Sequence, residues 1–84
     1  MTYHGVEWVL PNVLLAANEG RSLVDAIDLT SGKLLDRETG VSKPCCIELI
    51  PGLTEGPRQV LVSKIGDGTV QRMEVSTQGK LKTL

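Results

Sequence analysis

Apolar and polar residues alternate along this chain with a period of two. In the stretch Val70–Ser76, Met73 and Val75 alternate with Arg72, Glu74 and Ser76, and Ile27 and Leu29 flank Asp28 in the same way. This period is typical of strands that bury one face. Turn-forming residues bound the apolar runs and divide the chain into about eight short segments. The predicted strands are Gly5–Leu10, Val13–Ala17, Leu23–Leu29, Lys33–Arg37, Cys45–Ile50, Gln59–Ile65, Thr69–Ser76 and Lys80–Leu84.

The pattern therefore predicts an all-β fold of about eight antiparallel strands. The best helix candidate is Ser22–Leu29, where apolar residues also fit helical spacing. It is short, it has no C-terminal capping residue before Gly32, and its counterpart later in the chain has a strand pattern. We therefore predict a strand for this segment as well.

The chain contains an internal duplication. Val13–Ala16 matches Val60–Ser63 at a spacing of 47 residues, and Ile27–Thr30 matches Met73–Ser76 at a spacing of 46. Each change of spacing falls in a predicted turn, where an insertion is tolerated best. We predict one domain, 1–84, with repeats 1–40 and 41–84 of four strands each. Chance similarity between two β-hairpins is the competing explanation.

A resemblance to a known repeat follows from the same residues. The segment Val13–Leu35, with Ala26-x-Asp28 before Gly32-Lys33, resembles a blade of the quinoprotein-type β-propellers. The second copy, Val60–Lys82, is similar and also resembles the gluconolactonase-type propellers. The resemblance implies propeller-blade-like sheets. It carries over no functional residue, and the tryptophan that usually ends the quinoprotein repeat is missing.

Two blades cannot close a propeller ring. Their outward sheet faces would therefore stay bare, which is unfavourable for a protein in water. Three outcomes are open. Copies of the chain could assemble into a ring of six or more blades, or the chain could be a fragment of a longer protein. The eight strands could instead form one small closed barrel or sandwich.

Composition narrows the classes of function. The 84 residues include one Tyr, one Trp and no Phe, and the net charge is −1. Few aromatic residues and no basic excess argue against binding to nucleic acid or to an anionic membrane. No basic signal-peptide start precedes an apolar segment, and the apolar run Val9–Ala17 is interrupted by Pro11 and far too short to span a membrane. A cytoplasmic location is the default expectation.

The charges are unevenly distributed. Residues 1–57 carry a net charge of −4, and residues 58–84, which contain Lys80 and Lys82, carry +3. Opposite segments attract each other and like segments repel, so this pattern favours head-to-tail association of identical chains.

Trp8 is the largest apolar side chain. It is either a core residue or, if exposed, the leading candidate for an interface. The adjacent Cys45 and Cys46 are expected on opposite faces of a strand and too close in the backbone for an ordinary disulfide. The exposed thiol, assigned to Cys46, would be redox-sensitive or part of an interface.

Candidate catalytic and metal sites are weak. His4 and Glu7 are too few for a metal centre, and their spacing places them on opposite faces of a strand. Gly66-Asp67-Gly68 lacks the lysine and helix of a phosphate loop and is predicted to be a hairpin turn. Asp25, Asp28 and Asp36 lack a dense calcium loop, so we expect them on a solvated sheet face.

These observations lead to a functional hypothesis. We expect a non-enzymatic binding or assembly module without a cofactor, acting as a homo-oligomer or with a protein partner. The alternatives are a subunit or fragment of a propeller enzyme, and a small regulatory barrel that binds one protein. The candidate interface residues are Trp8, Cys46, Lys80 and Lys82.

Overall fold

The computed structural model describes residues 5–52 and 55–84, and every regular element in these residues is a β-strand. The strands form two four-stranded antiparallel sheets, which confirms the predicted fold class. Sheet A has the order β1-β2-β3-β4 and sheet B the order β5-β6-β7-β8. The strands are β1 Gly5–Leu10, β2 Val13–Asn18, β3 Leu23–Asp28, β4 Leu34–Thr39, β5 Pro44–Leu49, β6 Arg58–Lys64, β7 Thr69–Val75 and β8 Leu81–Thr83.

The segment that also fits a helix forms β3, in the interior of sheet A. It pairs with β2 on one side and with β4 on the other. Both neighbours supply hydrogen bonds to the backbone, so tertiary pairing decides a segment whose local pattern is ambiguous.

The turn at Gly66-Asp67-Gly68 is a hairpin turn, as predicted. The Asp67 carboxylate accepts hydrogen bonds from the Thr69 hydroxyl at 2.5 Å and from the Thr69 N–H at 3.1 Å. The hydroxyl contact is the main cause that lowers the pKa of Asp67 below its ordinary value. This aspartate therefore holds the turn.

The core lies between the two sheets and is aliphatic. Leu15 and Val24 from sheet A face Val62 and Met73 from sheet B, and all four are fully buried. Since β-side chains alternate, the residues between these positions point away from the core. Each sheet therefore has an inner face, which contacts the other sheet, and an outer face.

The sheets are stacked in the same orientation. The Leu81 N–H donates a hydrogen bond to Asp36 Oδ2 at 2.7 Å, and the Thr83 hydroxyl donates to Glu38 Oε1 at 3.0 Å. Both contacts join residues 45 positions apart, so β4 and β8 run in parallel directions across the gap. At the other end of the stack, Gly5 of β1 lies directly against the backbone of β5. Corresponding strands thus lie opposite each other.

The hairpin registers correct the spacing of the duplication. Asn18 pairs with Leu23 and Lys64 pairs with Thr69, so each central hairpin has a four-residue loop. The structural equivalence is therefore 46 residues along both strands, and the spacing of 47 assigned to Val13–Ala16 is wrong by one. A shift of one residue moves every side chain of a strand to the other face, so the spacing decides which faces of the two sheets are equivalent.

With the corrected spacing, the sheets are related by a repeat rather than by a twofold axis. Leu14 of sheet A corresponds to Val60 of sheet B, and Ile27 corresponds to Met73. The first member of each pair lies on an outer face and the second on an inner face. The inner contact of the molecule is therefore made by two different surfaces.

Candidate functional site

An apolar row crosses the outer face of sheet A from edge to edge. Trp8 pairs with Leu14, Leu14 with Ile27, and Ile27 with Leu34, so one side chain from each strand lies in the row. Trp8 is 61% exposed and Leu34 is 49% exposed, and the adjacent Val6 is exposed as well. Large apolar residues in register on an open face form a candidate interaction surface.

Of the two alternatives for Trp8, the structure shows the exposed one, so Trp8 stays an interface candidate and is not part of the core. Trp8 lies on β1, an edge strand, and alternation directs it to the outer face of sheet A. Its indole Nε1 donates a hydrogen bond to the Pro11 carbonyl at 3.2 Å. That contact fixes the polar edge of the ring and leaves the apolar surface exposed.

A buried ion pair lies beside this row. Arg37 Nε donates to Asp25 Oδ1 at 2.6 Å and Arg37 Nη2 donates to Oδ2 at 3.0 Å, across the β3–β4 register. The Asp25 carboxylate is fully buried, whereas 35% of the Arg37 side chain is exposed. The expectation of a solvated position is therefore wrong for Asp25, because a neighbouring strand supplies a guanidinium that covers it.

The other two aspartates have separate structural roles. Asp28 accepts hydrogen bonds from the N–H groups of Thr30 and Ser31 in the β3–β4 turn, and Asp36 joins the two sheets through Leu81. In the described part of the chain, no three His, Cys, Asp or Glu side chains are grouped as metal ligands. His4, the other candidate ligand, lies outside the described residues.

The outer face of sheet B is more polar than that of sheet A. Val70 is 63% exposed and Leu61 is partly exposed, and they line a shallow depression together with Cys46, Glu48 and Ser63. This face thus offers a few apolar contacts in a polar surround.

The two cysteines depart from the expected alternation. The β5–β6 register shifts between Pro44 and Cys46, which leaves Cys45 in a β-bulge. A bulge redirects the side chain of the extra residue. The Sγ atoms of Cys45 and Cys46 lie 3.5 Å apart, so the prediction of opposite faces is wrong. Cys46 is exposed, as expected, and Cys45 is half-buried; both thiols are free.

The candidate lysines lie at the outer edge of sheet B. Lys80 and Lys82 are exposed, and Lys82 is the cross-strand partner of Glu74. The structure does not bring them near Trp8, which lies on the outer face of the opposite sheet. The sheet boundary also reduces the charge asymmetry, since residues 1–43 carry −2 and residues 44–84 carry +1.

Of the outer apolar row, the sequence predicts only Trp8 as a site residue; it does not point to Leu14, Ile27 and Leu34, nor to Val70. A signal for the row is present, because Val13–Ala17 is apolar at every position, which is typical of strands covered on both faces.

Within the described residues, no helix is long and apolar enough to cross a bilayer. Comparisons with protein-family models, with curated proteins and with solved structures found no match for this chain. The fold thus defines an all-β protein of two stacked four-stranded sheets, and the propeller-blade resemblance stays a prediction.

Proposed function

We propose that this chain is a non-enzymatic assembly module whose copies associate head to tail. In this arrangement, the outer face of sheet A on one copy packs against the outer face of sheet B on the next. Each sheet acts as a propeller-type blade, and three or more copies complete a ring of at least six blades. The partner is thus a second copy of the same chain.

The observation that carries this proposal is the stacking of the two sheets in one orientation. Inside the molecule, the inner face of sheet A already packs against the inner face of sheet B, and these two faces are not equivalent. Position by position, each outer face corresponds to an inner face of the other sheet. A junction between copies would therefore repeat the contact that the molecule makes internally.

Exposed apolar surface supplies a driving force for this junction. Trp8, Ile27 and Leu34 on sheet A would be covered by Leu61 and Val70 of the next copy. Burying apolar surface contributes about 25 cal/mol per Å². An aromatic residue in the centre of such a patch is a frequent hot spot.

The test blocks one face at a time. Trp8→Glu places a charge on the outer face of sheet A, and Val70→Glu places one on the outer face of sheet B. We expect the wild-type chain to sediment at three or more times its monomer mass of 9.0 kDa at tens of micromolar. Each variant alone should be monomeric.

Mixing the two variants distinguishes head-to-tail from face-to-face pairing. Trp8→Glu keeps an intact sheet-B face and Val70→Glu keeps an intact sheet-A face, so the mixture should form one junction and stop at a heterodimer. Pairing through two sheet-A faces would instead leave Val70→Glu dimeric by itself and would contradict the proposal. A monomeric wild-type chain would also refute it.

Charge reversal gives a second readout. Exchange of Lys80 and Lys82 for Glu should weaken the assembly more than exchange of Lys43, an exposed lysine that serves as control. The difference should shrink as salt rises, because screening weakens exposed charge contacts. Equal effects of the two exchanges would show that the charges do not direct assembly.

A further inference from the structure

Cys45 and Cys46 form a geometrically defined pair on β5. The bulge at Cys45 brings both thiols to one side of the strand, with the Cys46 thiol donating a weak hydrogen bond to Cys45 Sγ at 3.5 Å. The bulge makes this proximity possible, since a regular strand would direct adjacent side chains to opposite faces. Neither thiol is in a disulfide, and Cys46 is exposed in the single chain.

The separation of the sulfur atoms suits one chelated ion. With a metal–sulfur bond of about 2.3 Å, a sulfur–sulfur distance of 3.5 Å corresponds to a sulfur–metal–sulfur angle of about 100°, close to tetrahedral. A linear two-coordinate ion would need the sulfurs about 4.6 Å apart at the same bond length. The pair therefore fits a tetrahedral ion better than a linear one.

The surroundings are compatible with a cation. Glu7 and Glu48 line the same depression as Cys46. Both thiols must lose their protons to bond to a metal ion. A soft cation that bonds to both sulfurs displaces these protons.

We propose that Cys45 and Cys46 form a bidentate dithiolate site for a soft, thiophilic metal ion of tetrahedral preference. Binding converts two thiols and one divalent ion into two metal–thiolate bonds and releases two protons. Two protein ligands are fewer than a closed metal centre has, so water fills the remaining coordination positions and the bound ion is exchangeable. No electron transfer is involved. Both ligands come from β5, but Cys46 shares the outer face of sheet B with Val70, so the next copy would cover the site in the proposed assembly.

The test is a titration of the reduced Trp8→Glu chain with Cd²⁺, monitored by thiolate-to-metal absorption and by native mass spectrometry. Trp8→Glu leaves the outer face of sheet B uncovered, and every variant below is compared in this background. We expect one ion per chain. Cys45→Ser and Cys46→Ser should each weaken binding more than tenfold, because one thiolate cannot chelate. Ser63→Ala, at the cross-strand partner of Cys46, is the matched control and should bind as the wild type does.

Two other results would overturn the proposal. Equal affinity of either single-cysteine variant and the wild type would show that the thiols bind separately. A stoichiometry of one ion per two chains would show bridging between molecules instead of chelation. As a second probe, a monosubstituted trivalent arsenical condenses with two thiols and releases two waters. It should add once to the wild type and should not form this two-bond adduct with either serine variant.

Discussion

Replacing Arg37 with alanine would leave the buried Asp25 carboxylate without the guanidinium that binds both of its oxygens. Removing one partner of a fully buried ion pair costs about 3–5 kcal/mol in unfolding free energy. A third of the Arg37 side chain is exposed, so water screens part of the interaction, and we expect a loss of about 2–3 kcal/mol. The total unfolding free energy of a chain of this length is about 4–13 kcal/mol. The melting temperature should fall by about 10–20 °C.

Urea unfolding followed by far-ultraviolet circular dichroism would measure this loss. The Val70→Glu background, in which the proposed assembly is blocked, keeps the result independent of association. Arg72→Ala, at an exposed position on sheet B, is the matched control and should change stability by less than about 0.5 kcal/mol. Replacing both Asp25 and Arg37 with Val should restore most of the stability, because no buried charge is left. If the unfolding free energies of Arg37→Ala and Arg72→Ala were equal, the reasoning would be refuted.

Two further predictions concern a close contact and a turn. Gly5→Ala should destabilise the protein by about 1–3 kcal/mol in thermal unfolding, because the new Cβ would meet backbone atoms of Cys45 and Cys46. Gly20→Ala, whose Cβ would meet the Asn18 side-chain oxygen at an ordinary contact distance of 3.7 Å, is the control. Equal melting temperatures of the two variants would contradict the close approach of β1 and β5. Thr69→Val should raise the pKa of Asp67 in a carboxyl NMR titration, since it removes the main cause of the lowered value. Because the pKa of Asp67 is lower in the folded protein, its ionised form stabilises the protein above the unfolded pKa, and this stabilisation is lost as the pH falls. The variant lacks part of this stabilisation, so it should lose less stability on acidification. An unchanged Asp67 titration would contradict this assignment.

The strands could be predicted because their information is local. The alternation around Met73 and Val75 and the glycine-containing turn at Gly66 both act within a few residues. The bounds were less exact, since Lys33–Arg37 was predicted where β4 is Leu34–Thr39. The end of a strand depends on how far its neighbour continues to pair, which is not encoded in the strand alone.

The predictions that were wrong concern features that depend on the register between strands. The position of Cys45 in a bulge follows from its pairing with β6, and the contact of Asp25 with Arg37 follows from the β3–β4 register. The local sequence does not determine the β5–β6 register or the β3–β4 register. The one-residue error in the repeat spacing has the same origin, because Val13–Ala16 is apolar at every position and aligns almost equally well in two registers.

The run of apolar residues Val13–Ala17 in β2, which makes the register ambiguous from sequence, also has a structural consequence. Leu14 and Ala16 face outward on sheet A, and their equivalents Val60 and Val62 are buried in the inner contact. The correspondence is weaker in the other direction. On the outer face of sheet B, Leu61 corresponds to the buried Leu15, but Arg72 takes the place of the buried Ala26. Sheet A therefore retains the composition of a covered surface, whereas sheet B has adapted part of its outer face to water. A junction between these faces would be less apolar than the internal contact, and a reversible association would follow from that difference.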